Sequence, residues 1–170
     1  MGELHAVGDL EISQDIVFQR RAWKVQRVGW VILVLFVLAA LLGLMGSGPL
    51  SQARAGHEQG TVWVEYSRFS RAEAETALAV HLGPAAMRDG KARVWLDRTY
   101  HEKIKIDRIM PEPLEVEAAA DRLTYVFPVG DGAQPVAVVF HFQPRQAGVL
   151  HPSLGVPQAD TLSFAQYVYP

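Results

Sequence analysis

Two hydrophobic rhythms divide the chain. The first is continuous. No charged residue occurs between Arg27 and Arg54, and Val28 to Met45 is an 18-residue run broken only by Gly29 and Gly43. At about 1.5 Å per residue, this run with its flanks approaches the roughly 30 Å hydrocarbon core of a bilayer. The core helix of a globular domain would show polar residues at helical period, and this run shows none. The second rhythm starts near Gly60, where short alternating stretches are punctuated by Gly, Pro and Asp. Alternation of apolar and polar side chains predicts half-buried strands. Such strands are expected over Thr61–Phe69, Glu75–Leu82, Lys91–Asp97, Lys103–Met110, Leu114–Ala118, Arg122–Val129, Pro135–Gln143 and Thr161–Tyr169. "RDG" at Arg88–Gly90 reads as a turn, "GDGAQ" as a hairpin joining Arg122–Val129 to Pro135–Gln143, and Arg98–Glu102 as a helical turn.

This spacing predicts a mainly β protein: an N-terminal transmembrane helix followed by an immunoglobulin-like antiparallel β-sandwich of seven to nine strands. Four segments are expected: a basic, amphipathic juxtamembrane stretch over 1–27, the membrane span over 28–45, a linker over 46–60 and the sandwich over 61–170. Two strands are apolar on both faces. In one, Val136, Val138, Phe140 and Phe142 are backed by Ala137 and Val139; in the other, Leu123, Tyr125 and Phe127 are backed by Val126. A sandwich strand needs one buried face, so the second is expected to lie under a loop or against another protein.

Charge orients the chain. Residues 1–19 carry four acids and no Lys or Arg, whereas Arg20, Arg21, Lys24 and Arg27 follow without an acid. Cations before the span and only Arg54 close behind it place the N-terminus in the cytosol and the sandwich outside. Residues 54–170 hold 14 acids and 12 bases, a balance that gives no pull toward nucleic acid. The competing reading of the apolar run is a cleaved signal peptide, with Ala53-Arg54-Ala55 before Gly56 as its small-x-small site. The run exceeds the usual 7–15 apolar residues of such peptides, and its leader is long. The expectation is therefore an uncut signal-anchor.

Two faces of the helical region suit partner contact. Phe18, Ala22, Val25 and Gly29 lie opposite Arg20, Lys24 and Arg27. Ala39, Gly43 and Ser47 form a small-xxx-small series of the kind that lets helices approach closely in lipid. The expected partners are the bilayer and another integral membrane protein.

Chemistry is sparse. There is no cysteine, which excludes disulfides, thiolate sites and a lipid-modified cysteine. The six histidines, His5, His57, His81, His101, His141 and His151, fall in no metal-binding spacing, and no nucleophile elbow, phosphate loop or calcium loop occurs. The carboxylates Asp97, Glu102, Asp107, Glu112, Glu115 and Glu117 interleave with Lys91, Arg93, Arg98, Lys103, Lys105 and Arg108. That mixture reads as a solvated sheet face. No catalytic, cofactor or metal residues are assigned. Trp63 and Trp95 alternate with inward-facing residues and are expected to face outward, where they could stack on a sugar ring of an envelope polymer.

The phrases "DLEISQDIVFQRRAWKVQRVGW", "GPLS", "VEYSRF" and "DRLTYVF" resemble an uncharacterised family of bacterial single-span inner-membrane proteins with a small extracytoplasmic β-domain. The resemblance covers most of the chain. It implies a topology and a layout, and it supplies no catalytic or binding residues. The functional expectation is a membrane-anchored, non-enzymatic accessory protein; the alternative is an extracytoplasmic ligand-binding module.

Overall fold

A computed structural model describes residues 16–42, 50–129, 135–157, 159 and 161–170, with helix side chains described from residue 21 onward. Helix α1 spans Ile16–Leu41, 26 residues without a break, or about 39 Å at 1.5 Å per residue. The stretch expected to be juxtamembrane and the stretch expected to cross the membrane therefore share one helix. Its apolar side chains are exposed: Trp30, Ile32, Leu35 and Phe36 are all more than half accessible. Arg27 stacks on Trp23, 3.7 Å from the ring centroid.

The rest of the described chain is a β-sandwich. Its strands are β1 (Gln52–Gly56), β2 (Val62–Ser67), β3 (Phe69–Arg71), β4 (Thr76–Leu82), β5 (Met87–Arg88), β6 (Lys91–Asp97), β7 (Ile104–Met110), β8 (Glu115–Ala118), β9 (Arg122–Pro128), β10 (Val136–Pro144), β11 (Gly148–Leu150), β12 (Ser153–Gly155), β13 (Thr161–Ser163) and β14 (Gln166–Tyr169). A five-stranded sheet runs β1-β2-β4-β10-β7. A six-stranded sheet runs β13-β12-β6-β9-β8, with β5 added beside β6. A small third sheet runs β11-β14-β3.

Alternation decides which side chains meet between the sheets. The five-stranded sheet turns Val64, Leu78, Val80 and Phe140 inward, and the six-stranded sheet turns Val94, Leu96, Tyr125 and Phe127 inward; all are essentially inaccessible and form one core. Phe140 packs edge-on against Tyr125 at 5.3 Å and Phe127 at 6.4 Å between ring centroids. Edge-to-face pairs of this kind add to the area they bury.

Several expectations are corrected. The described residues form fourteen strands rather than seven to nine, because pieces of two to four residues are too short to show alternation. Thr61–Phe69 splits into β2 and β3, which lie in different sheets. The sandwich is not wholly antiparallel, since β14 and β3 pair in parallel. The Arg122–Val129 and Pro135–Gln143 segments do not form a hairpin. They lie in opposite sheets, because their aromatic rings meet edge-on across the core instead of side by side in one sheet; the residues at "GDGA" lie outside the described set. Gln52–Gly56, expected to be linker, is edge strand β1, paired along its length with Trp63–Ser67 of β2. An edge strand is held by its backbone, so "QARAG" needs no large side chain to join a sheet.

The short helix α2, Arg98–Lys103, matches the expected helical turn. The Asp97 side chain accepts a hydrogen bond from the Thr99 amide at 3.1 Å, satisfying an open N-terminal donor. The helix carries the chain from β6 in one sheet to β7 in the other and buries Tyr100. The Tyr100 hydroxyl donates to Gln166 Oε1 at 2.7 Å, and Gln166 Nε2 donates to the Ser67 carbonyl at 3.2 Å. One buried amide thus ties α2, β14 and β2 together.

Tyr100→Phe leaves the Gln166 oxygen buried without a donor and is expected to cost about 1–3 kcal/mol in urea unfolding. Burial also holds the Tyr100 phenol well above its ordinary value of 10.0 and pushes Tyr125 up to about 12. As pH rises above about 10, the unfolded chain releases these protons while the folded chain keeps them, so stability falls. The alkaline loss is expected to be shallower in Tyr100→Phe, measured as unfolding free energy between pH 9 and about 11.5.

Candidate functional site

The outer face of the five-stranded sheet gathers the most concentrated set of polar and aromatic side chains near a small-residue floor. Register fixes its rows. Arg54, Glu65, Ala79, Val139 and Met110 form one row across β1, β2, β4, β10 and β7. Trp63, His81 and Ala137 form the next, and Ala77, His141 and Arg108 a third. Residues directly opposite on neighbouring strands project from the same face. Ala77, Ala79 and Ala137 therefore make a low floor, with Met110 left 50% exposed at one rim. At the other rim a trough of about 630 Å³ is lined by Gln52, Arg54, Glu65, Ser67, Ala77 and Ala79, among others.

The rim is a linked group. The Trp63 and His81 rings stack at 3.7 Å with their planes within 4°. Arg54 lies 5.5 Å from the Trp63 centroid and pairs with Glu65 at 2.8 Å and with Glu58. Glu65 also sits 3.8 Å from His81 Nε2, a buried nitrogen with no hydrogen-bond partner among the described residues. His141 Nδ1 lies 3.3 Å from Glu75 on the same face. Gly56 closes β1 beside this group. Its φ is +88°, and a Cβ there would lie 2.8 Å from the Val62 carbonyl oxygen. Only glycine adopts that geometry without strain.

Trp63 and Trp95 lie in opposite sheets, so they do not form one stacking platform, and Trp95 is buried instead of turned to solvent as expected. Trp95 is only 9% exposed. Arg122 lies 4.8 Å over its ring and donates two hydrogen bonds to Asp121, which hold the Asp121 carboxyl below its usual value. Ala22 and Val25 are exposed on α1, and Ala39 is half-buried. The Phe18 side chain, Gly43 and Ser47 lie outside the description. Among the described residues, no three His, Cys, Asp or Glu side chains gather as a metal site. Reading along the chain missed Arg54 and Glu65. Arg54 falls in the segment taken for linker, and the Arg54–Glu65 pairing follows only from the β1–β2 register.

No protein-family model matches the chain, and no curated protein matches it. Among solved structures it is similar to the cohesin module of a family 33 glycoside hydrolase from Clostridium perfringens. The two are 12% identical over 65% of this chain and 96% of that one, with a TM-score of 0.43. A likeness at this level carries no functional argument.

Gly56→Ala is expected to destabilise the domain by about 1 kcal/mol or more, read from urea unfolding. Trp95→Ala is expected to cost about 3 kcal/mol, the range of a buried large-to-small change, and Trp63→Ala clearly less, because Trp63 keeps part of its surface in solvent.

Proposed function

We propose that the protein is a membrane-anchored, non-enzymatic interaction module. In this reading α1 is an uncut signal-anchor in the bacterial inner membrane, with its N-terminus in the cytosol. The sandwich lies on the extracytoplasmic side and offers the outer face of its five-stranded sheet to an integral membrane protein. Its two face-packed sheets support the immunoglobulin-like description.

The observation that carries the proposal is strand β1. It begins at residue 52, shortly after α1 ends at residue 41. Ala53 is buried and Arg54 is paired to Glu65. A cut between Ala55 and Gly56 would strip this strand from the sheet and leave the β2 backbone unpaired at a new edge, a recognised aggregation hazard. The sheet keeps this strand only when residues 52–56 stay joined to β2, which supports an uncut chain at Ala55–Gly56. The helix needs cover of its own: Arg21–Leu41 is long and apolar enough to cross a membrane, and its exposed apolar surface is unfavourable in water. The Phe18/Ala22/Val25 and Ala39/Gly43/Ser47 faces supply the contact with a partner's helices.

The test is a cross-linking pull-down from native membranes, comparing the natural chain with one whose residues 28–45 are replaced by an unrelated apolar helix. The expected result is that the natural chain resists carbonate extraction and captures a membrane protein that the exchanged chain loses. A chain released by carbonate would remove the anchor, and undiminished capture after the exchange would remove the span's role in recognition.

A further inference from the structure

Strand β8 forms one edge of the six-stranded sheet and, among the described residues, pairs with β9 alone. Register assigns its faces. Val116 and Ala118 stand opposite Tyr125 and Leu123 and point toward the core; Glu115 and Glu117 stand opposite Val126 and Thr124 and point outward. A valine that faces a core is ordinarily buried, yet Val116 is 47% exposed. Leu114, whose amide donates to the Val126 carbonyl at 2.8 Å, extends the pairing and is 61% exposed. On β7, the edge of the other sheet, Ile106 and Ile109 stand opposite Phe142 and Phe140 and are only partly buried. A trough of about 630 Å³ is lined by residues 106–113, the end of β7 and the turn that leads to β8. The side of the sandwich bounded by β7 and β8 is therefore unfinished. Inward-facing apolar side chains meet solvent there, beside backbone groups that have no neighbouring strand among the described residues.

We propose that β8 takes up an extended segment of a partner protein as an added strand, and that this segment alternates apolar residues with Lys or Arg. Main-chain hydrogen bonds to the free edge supply affinity, and alternate side chains supply selectivity. The apolar residues of the added strand continue the core beside Leu114 and Val116. Its cations meet Glu115 and Glu117, neither of which forms an ion pair among the described residues. Opposite charges facing each other on paired strands are favourable, and like charges are not. That rule selects the occupant. Every antiparallel register that pairs β8 with a second copy along its length, and keeps Val116 inward in both, sets Glu against Glu. A slip of one residue turns the second Val116 outward. The two carboxylates therefore repel a second copy and attract a basic strand. Strand β7 is the poorer acceptor. Lys105 is already paired with Asp107 at 3.1 Å, the register shifts at His141/Phe142, and Pro111 follows directly, features that blunt an edge.

The test uses the full chain in uncharged detergent micelles and reads fluorescence anisotropy. The probe is a fluorescein-labelled peptide of alternating Lys and Val, about seven residues long, within the usual length of a strand. One control replaces each Lys by Glu. A second keeps the Lys–Val sequence but is methylated at every backbone nitrogen, so that it cannot donate to an edge. The expected result is saturable binding of the Lys–Val peptide and of neither control. Glu115→Lys with Glu117→Lys is expected to weaken that binding about tenfold or more, the scale of two cross-strand charge pairs, and to let the Glu–Val peptide bind instead. Glu117→Gln, a milder change, provides a second variant if the double one misfolds. No binding of the Lys–Val peptide overturns the proposal, as does binding unchanged in variants that keep the natural melting temperature. Equal binding of the methylated peptide also overturns it, because charge alone would then suffice. Dimers of the natural chain that the double variant disperses would give the edge to a second copy and overturn it too. None of these outcomes bears on the anchoring of α1.

Discussion

The clasp between Phe140 and the Tyr125–Phe127 pair is the contact on which the architecture depends. It joins β10 to β9, the neighbours of the two edge strands β7 and β8, and so sets the sheets face to face. Once these rings meet across the core, β9 and β10 cannot be hairpin partners. Every inward row then follows by alternation, and every outward row is committed to solvent, ligand or partner.

The two outward faces diverge from that common constraint. On the five-stranded sheet, alanines keep the floor low, and the polar groups collect at the rim around Trp63, His81, Glu65 and Arg54. Exposed ion pairs of this kind contribute little to stability, about 0–1 kcal/mol each, so the fold does not depend on them. On the six-stranded sheet, the opposite arrangement prevails: like charges crowd one end, at Arg88, Lys91 and Arg93, while Arg122 covers Trp95 at the other.

The apolar helix, the strand faces of β4, β6, β7 and β10, the Asp-Gly turn and the helical turn after Asp97 were all legible, because each depends on local periodicity or on one backbone requirement. Strand β1 was not. Its sequence, "QARAG", has the small residues of a cleavage site and of an edge strand alike, and only its partner strand distinguishes them. The pairing of Arg88 with Lys91 was hidden for a related reason. Along the chain Lys91 and Arg93 precede a series of mixed signs, which reads as solvated surface; only the hairpin places Arg88 opposite Lys91. Trp63 and Trp95 show the same limit from the other side, since alternation gives a residue's face but not its sheet.

The continuity of the chain from α1 into β1 is the central claim, and the mass of the protein isolated from its native membrane tests it most directly. Mass spectrometry of the intact protein, with mapping of its first residues, distinguishes the two forms without assuming any partner. The expected result is one species that retains Ile16–Leu41 together with the sandwich. A soluble product beginning at Gly56 would contradict the account, because it would show that the sheet functions without the strand that joins it to the helix.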